Sequence, residues 1–180
     1  MADGSRPRRL RLWVGVWPPP DVVDALRRVE RPARDGVRWT TEDQWHVTLR
    51  FLGDVAHEEV PELVRALERV ALRHAPTRVE LGPGLARLGR GQLVVPATGV
   101  DRLAADVVRA TGHVGLGPED RPFHGHLTLA RARRRAVIPE DLAGPELRAG
   151  WTAAAVHLVQ SHLEPTGSRY VSLGEFRFPG

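Results

Sequence analysis

The stretch "WHVTLRFLG", residues 45–53, interrupts an apolar strand-like run with His46 and Thr48, two positions apart. A second stretch, "HGHLTLAR" at 124–131, repeats the arrangement with His126 and Thr128, 80 residues after the first copy. Side chains alternate between the two faces of a strand. Each copy therefore predicts a strand with its histidine and threonine on one face and its apolar residues on the other, with Phe51 pointing into a core.

Chance does not account for this duplication. With 8 histidines and 9 threonines in 180 residues, about 0.4 His-x-Thr triplets are expected, and only about 0.02 when an apolar middle residue and a following leucine are required. The two motifs are therefore the strongest functional signal in the chain. A purely structural role for His46 and His126 as satisfied buried histidines is the less favoured interpretation.

The composition excludes several kinds of chemistry. There is no cysteine, so disulfides, thiolate nucleophiles and Cys-ligated zinc are excluded. All 26 basic residues are arginine, which removes a P-loop lysine, a Schiff base and a covalent lysyl-nucleotide intermediate. A net charge of +4 mildly favours anionic ligands.

Helix-like and strand-like segments are mixed without strict βαβ alternation, which predicts an α+β fold with antiparallel sheet. We expect residues 1–9 to form a disordered basic tail and residues 10–180 to form a single domain. No apolar run has the length of a membrane span, and the first residues lack the apolar core of a signal peptide. The sequence therefore predicts a cytoplasmic protein without a membrane partner, and we expect a monomer.

Two imidazoles suit general acid–base catalysis, because with an ordinary pKa near ~6.5 one can be neutral while the other is charged. Cleavage of a phosphodiester needs a base for water, an acid for the leaving alkoxide and donors for the phosphate oxygens. The threonine hydroxyls supply such donors. No metal or other cofactor is required, and the residue types alone leave open which histidine is the acid.

These residues resemble the RNA 2′,3′-cyclic phosphodiesterases, historically called 2′-5′ RNA ligases, of the 2H phosphoesterase superfamily. The resemblance covers nearly the whole chain, from the strand before "PPP" (18–20) to "SHLEPTGSRYVSLGEFRF" (161–178). It implies a bilobal fold of two antiparallel sheets with flanking helices, related by a pseudo-two-fold, and an active-site cleft between them. It also implies RNA ends or nucleotides bearing a 2′,3′-cyclic phosphate as substrates.

The resemblance assigns roles to single residues. It implies that His46 is the proton donor to the leaving 3′ oxygen, that His126 is the proton acceptor for water, and that Thr48 and Thr128 bind the phosphate. The expected product is a 2′-phosphate end, with weak reverse 2′-5′ ligation.

Further substrate contacts are expected from three residues. Arg50 occupies a position where the family has lysine and is expected to meet a phosphate. Arg131 lies where the family often has arginine, but the alternation of side chains puts it on the other face of the strand from His126, so it needs a bulge or the end of the strand to reach the site. His124 shares the predicted face of His126; the "HGH" spacing also suits a metal, but a partner rich in carboxylates is not evident, so orientation or substrate contact is favoured.

Two alternatives stay open from the sequence. One is a phosphodiesterase for small cyclic nucleotides or ADP-ribose cyclic phosphate, which relative rates on mononucleotides and oligonucleotides would separate. The other is a non-catalytic module that binds RNA ends without converting them, and the intact duplication of the motif counts against it.

Overall fold

A computed structural model describes residues 8–118, 120–133, 135–165 and 167–180. The first strand begins at Arg9, and the carbonyl of Arg8 accepts a hydrogen bond from the backbone N–H of His57. Residues 8 and 9 thus belong to the fold rather than to the predicted tail, whose remaining residues, 1–7, lie outside the described part of the chain. Glu119, Arg134 and Thr166 also lie outside it.

Within the described residues the α-helices are short. They are α1 (Pro20–Arg27), α2 (Val60–Ala71) and α3 (Asp101–Thr111). Pro61 lies in the first turn of α2, where the missing N–H costs nothing. The strands are β1 (Arg9–Val16), β2 (Val37–Trp39), β3 (Val47–Ala56), β4 (Thr77–Leu81), β5 (Ala86–Leu88), β6 (Gln92–Thr98), β7 (His126–Ala132), β8 (Ala149–Ala153), β9 (Ala155–Glu164) and β10 (Gly167–Arg177).

Antiparallel pairing joins these strands in the order β10-β9-β1-β3-β7-β6-β4-β8, with β2 on β7 and β5 on β6. The predicted α+β class is confirmed. The strands do not form two separate sheets, because β3 meets β7 where Val47 lies opposite Leu127. That contact carries hydrogen bonding from one half of the chain to the other and makes a single curled sheet.

A bulge lies directly after the motif in each motif strand, and β3 has a further one at Leu52, where Trp13 pairs with Phe51 and Leu12 with Gly53. In the β1–β3 ladder, Gly15 pairs with Thr48 and Val14 with Arg50, which leaves Leu49 as an extra residue. A bulge reverses the alternation of side chains beyond it. The prediction that Phe51 points into the core is therefore wrong: its side chain is 38% exposed.

The β6–β7 ladder carries the corresponding bulge. Val94 pairs with Thr128 and Leu93 with Ala130, so Leu129 is the extra residue. Both extra leucines are buried. The reversal beyond the bulge therefore moves Arg131 to the other face of β7, as it moves Phe51 to the other face of β3.

One apolar core lies between the sheet and the helices and draws on both halves of the chain. Trp45, directly before the first motif histidine, is fully buried in it. Across the described residues, the structure contains no helix long and apolar enough to cross a bilayer.

Candidate active site

The contact between β3 and β7 brings the two motifs together. Val47 and Leu127 lie opposite one another and are fully buried. In an antiparallel pair, this register sets His46 opposite Thr128 and Thr48 opposite His126. Because neighbours of a buried strand residue point to the other face, all four side chains turn away from the core.

That other face is the wall of a cavity of about 780 Å³, in the upper part of the range typical of ligand sites. Both motif histidines and both motif threonines line it. Its lining contains the arginines Arg11, Arg38, Arg50, Arg121 and Arg131 and the histidines His46, His124 and His126. Among the described lining residues none is Asp or Glu, so the cavity suits an anion.

Each motif histidine is oriented by a carbonyl two residues earlier. Nδ1 of His46 lies 2.7 Å from the oxygen of Gln44, and Nδ1 of His126 lies 2.7 Å from the oxygen of His124. A carbonyl oxygen only accepts, so Nδ1 carries the proton and donates in both cases. When either imidazole is neutral, its Nε2 therefore holds a lone pair that can accept a proton; when it is charged, Nε2 can donate one.

Aromatic rings enclose His46. The ring of Trp13 stacks on the imidazole with 4.0 Å between centroids and 22° between planes. Trp17 and Tyr170 meet it edge-on at 5.4 and 5.0 Å. Burial lowers the pKa of His46 to about 3, against the opposing bond to Gln44, and the nearby positive charge of Arg131 adds to the lowering.

His126 is half-buried. Burial lowers its pKa as well, the bond to the His124 carbonyl opposes this, and Arg131 and His124 lower it further. Both imidazoles are thus held toward the neutral form in the unliganded protein. A bound anion favours the charged form of each.

The threonines differ in their surroundings. The hydroxyl of Thr128 donates to Oε1 of Gln92 at 3.2 Å, which fixes its orientation. Thr48 lines the cavity from the opposite strand.

The bulge that Arg131 needs is present. With Leu129 as the extra residue of β7, Arg131 turns to the cavity, and its charge lowers the pKa of both motif histidines. His124 precedes β7 rather than belonging to it, is exposed at the cavity and contributes its carbonyl to His126.

Arg50 is placed differently from the expectation of a phosphate contact. Its side chain is only 5% exposed, and its guanidinium donates to the hydroxyl of Thr111 and to the carbonyls of Val114 and Leu116. These bonds tie β3 to the segment after α3. Arg50 thus supports the cavity wall, and its donors are engaged with the protein.

The sequence patterns did not predict that the side chains of Trp13, Trp17 and Tyr170 surround His46. One signal was available for the tryptophans: the aliphatic residues Leu12, Val14 and Val16 of β1 alternate with Trp13, Gly15 and, directly after the strand, Trp17. That alternation puts both tryptophans on the face opposite the buried aliphatic residues. Nothing local connects Tyr170 to the site, since it arrives through the sheet order β10-β9-β1.

Among the residues that the structure describes, no group of three or more His, Cys, Asp or Glu side chains is arranged to hold a metal ion. The cavity presents cationic groups, hydroxyl donors and two imidazoles, a set that suits an anion such as a phosphate ester. The fold and the groups of this cavity define a phosphoesterase.

Comparison with known proteins supports this class of protein. The sequence profile of the family described as LigT-like phosphoesterase matches residues 16–82. An RNA 2′,3′-cyclic phosphodiesterase of Thermus thermophilus is 31% identical, over 95% of this chain and 91% of the relative. The chain belongs to the LigT-like phosphoesterase family of the 2H superfamily and is a phosphoesterase.

Solved structures show the same fold. The crystal structure of TT0787 of Thermus thermophilus superimposes with a TM-score of 0.81 at 30% identity and covers 95% of this chain and 99% of its own. The structure of E. coli LigT complexed with 3′-AMP has a TM-score of 0.75 at 23% identity, over 96% of this chain and all of that one.

Proposed function

We propose that this protein hydrolyses 2′,3′-cyclic phosphate ends of RNA to 2′-phosphate ends, without a metal, by general acid–base catalysis through His46 and His126. The observation that supports this most directly is the register around Val47 and Leu127, in which each imidazole lies opposite the other motif's hydroxyl. The relative from T. thermophilus that covers the chain almost end to end bears the name of this activity.

In the proposed reaction, neutral His126 accepts a proton from water at Nε2 while the water oxygen attacks phosphorus. The bond from phosphorus to O3′ breaks, and charged His46 donates its Nε2 proton to the departing oxygen. The product carries a 3′-hydroxyl and a 2′-phosphate, and exchange of one proton with solvent at each histidine restores the starting state. A 5′-hydroxyl in place of water would form a 2′-5′ bond, which is the weak ligation expected from the family.

The hydroxyls of Thr48 and Thr128 and the guanidinium of Arg131 donate to the non-bridging phosphate oxygens, where charge accumulates in the transition state. Thr128 has one donor, which is bonded to Gln92 in the unliganded protein, so it exchanges that bond for one to the phosphate as substrate binds. His124 aligns His126 through its carbonyl, and its ring lies at the cavity rim. Arg50 has no place in this assignment because its donors hold the segment after α3.

Two pieces of geometry also support an approximate two-fold relation between the halves, with its axis near the Val47–Leu127 pair. The bulges directly after the two motifs fall at Leu49 and Leu129, which are separated by the same 80 positions as the motif histidines. Both histidines use Nδ1 in the same way. The three aromatic side chains around His46, those of Trp13, Trp17 and Tyr170, distinguish the first half from the second.

His46 can donate a proton only when it is charged, and burial lowers its pKa to about 3 in the unliganded protein. A phosphate anion beside the imidazole opposes that effect, so His46 gains its proton as substrate binds. The rate constant kcat/KM, which reports the free enzyme, should then follow a bell-shaped pH profile centred on the acid side of 6.5. The profile of kcat should lie at higher pH, and a fixed neutral optimum for both would contradict the coupling.

The first experiment is mass analysis of an oligonucleotide ending in a 2′,3′-cyclic phosphate after incubation with the enzyme, with the position of the product phosphate assigned. Hydrolysis to a 2′-phosphate is expected. His46→Ala and His126→Ala should each lower kcat by about 10²–10⁴ with an unchanged melting temperature. Full turnover in either variant would remove this mechanism, and binding without conversion by the wild type would leave only an RNA-end binding module.

The acid and base roles can be separated with a substrate whose leaving O3′ is replaced by sulfur. A thiolate leaves without protonation, because its conjugate acid has a pKa near ~8.5. His46→Ala should therefore regain most of its loss on this substrate, while His126→Ala should not. The opposite pattern would exchange the two roles.

Independence from metal is tested by repeating the assay after dialysis against a chelator. Activity should be unchanged. Loss of activity that returns on adding a divalent ion would replace the two-histidine mechanism by a metal-assisted one.

A further inference from the structure

Phe51 presents a phenyl ring to the cavity, close to the first motif histidine. It lies opposite Trp13 in the β1–β3 ladder, and the indole of Trp13 stacks on the imidazole of His46 with 4.0 Å between centroids. Residues directly opposite in a ladder have Cβ atoms about 4.5–5.5 Å apart. The phenyl ring is therefore separated from His46 by the width of one side chain, and Phe51 is 38% exposed.

The side chain of Arg11 covers this ring. Its guanidinium carbon lies 4.6 Å from the centroid of Phe51, and both side chains line the cavity. The residue opposite Arg11 in the ladder is Asp54, which is exposed and carries the opposite charge. Nevertheless, within the described part of the chain the guanidinium of Arg11 takes part in no ion pair and no hydrogen bond. Its position is thus set by the phenyl ring rather than by that carboxylate.

A cationic plane beside a phenyl ring suits a flat aromatic ligand. Nucleobases stack on phenyl rings and on guanidinium groups, and Arg11 and Phe51 offer one of each. An anion would gain from the charge of Arg11 but nothing from the phenyl ring, whose face is itself negative. The two side chains together therefore favour a base over a second phosphate.

We propose that Arg11 and Phe51 form a shelf on which the base of the terminal nucleotide stacks, the nucleotide that carries the cyclic phosphate. This inference rests on the proposed function. The base is attached to C1′, and the adjacent C2′ carries one oxygen of the cyclic phosphate, so a base stacked on the shelf keeps the phosphate near His46. Stacking tolerates every base and depends on its stacking strength, so the shelf accepts all four bases and favours a purine.

Three trinucleotides that differ only in the last residue test the shelf in the wild type. All have the form UpUpX and end in a 2′,3′-cyclic phosphate, and X is adenosine, uridine or a ribose without a base. The value of kcat/KM should be about tenfold higher with adenosine than without a base, with uridine between them. Because all three carry the same phosphates, the ratio of the first value to the last isolates the base. A ratio near one would overturn the proposal.

Arg11→Lys separates stacking from charge. Lysine keeps the charge but lacks the planar group, so the ratio of kcat/KM with and without the terminal base should fall toward one. The matched control Arg9→Lys makes the same change at an exposed position of the same strand, outside the cavity lining, and should keep the wild-type ratio. A wild-type ratio in folded Arg11→Lys would overturn the proposal, because charge without the plane would then be sufficient.

Phe51→Leu removes the ring but keeps an apolar side chain. The same ratio should fall toward one in this variant, with its melting temperature measured alongside. Phe123→Leu makes the same change at another phenyl ring of the cavity lining and should keep the ratio. The reverse result would put the base on Phe123 and overturn the proposal. If the wild type converts none of the three trinucleotides, the proposed function fails instead, so the two failures are distinct.

Discussion

The indole ring of Trp13 stacks on the imidazole of His46. The face of an aromatic ring stabilises a cation placed over it, so the indole stabilises the charged form of His46. Trp13 is only 3% exposed, and among the described residues its indole N–H has no acceptor. The ring rather than the N–H is therefore what the site uses. Replacing the indole by another aromatic ring keeps the face and removes a buried donor without a partner, whereas an aliphatic side chain keeps the burial and removes the face.

Trp13→Leu should lower kcat by about 5–30-fold, since a cation–π contact of this kind contributes about 1–2 kcal/mol. Trp13→Phe should stay within about threefold of the wild type. Steady-state kinetics, with thermal melting of both variants, measures the difference. Equal losses in the two variants would mean that Trp13 acts only by filling space.

The lowered pKa of His46 also links its protonation to stability. The folded protein keeps this imidazole neutral down to a pKa of about 3, while the unfolded chain takes up the proton below its ordinary value of about 6.5. The unfolded state therefore binds more protons between these values. Stability is fully present above pH 6.5 and falls as the pH falls, by at most about 1.4 kcal/mol per pH unit for this group.

His46→Gln removes that titration. The free energy of unfolding in urea should drop less between pH 7 and pH 5 in His46→Gln than in the wild type, with a difference of about 1–2 kcal/mol. The pKa of His126 is also lowered in the folded protein, so His126→Gln should likewise reduce the loss of stability between pH 7 and pH 5. An equal drop in wild type and His46→Gln would show that the folded protein accepts the proton at His46 as readily as the unfolded chain.

The motif strands show what the sequence could and could not predict. Local alternation predicted the faces of His46, Thr48 and their second copies, because these lie before the bulges. The same alternation predicted the wrong face for Phe51. It allowed Arg131 to reach the site only if the strand contained a bulge. A bulge is set by the pairing of a strand with its neighbour, here β3 with β1 and β7 with β6, and that pairing is not encoded in either strand alone.

Arg50 shows the same limit of local alternation for the contact between β3 and α3. It stands two residues after Thr48 and alternation puts it in the cleft, but the bulge at Leu49 turns it toward the segment after α3. It reaches three acceptors, one on Thr111 at the end of α3 and two on Val114 and Leu116 after it. Because these acceptors are buried or partly buried, they depend on Arg50 for their hydrogen bonds.

Arg50→Lys should destabilise the protein by about 2–4 kcal/mol, because one ammonium group cannot serve the three acceptors that a guanidinium fork reaches. Urea unfolding measures this. Arg65→Lys, at an exposed position of α2, should change stability by less than about 0.5 kcal/mol. A stable Arg50→Lys protein with kcat/KM lowered a hundredfold would instead place Arg50 on the substrate.

The two histidines proposed to be catalytic come from different halves of the chain, while the core beneath them is shared. Leu63 and Leu67 of α2 belong to the same buried cluster as Val95 of β6 and Val107 of α3. A protein whose halves share one core is expected to unfold in one step. The active site should then form and disappear together with the fold.

Unfolding in urea should therefore give one midpoint by far-UV circular dichroism and by tryptophan fluorescence. Adenosine 2′-monophosphate, a product of the proposed reaction, should raise that midpoint for both signals equally, because it binds only the folded protein; at a hundred times its Kd the gain is about 2.7 kcal/mol. Adenosine without the phosphate should raise it less, and the double variant His46→Gln, His126→Gln should lose most of the shift. Two midpoints, only one of which responds to the nucleotide, would mean that the halves fold separately and that the site belongs to one of them.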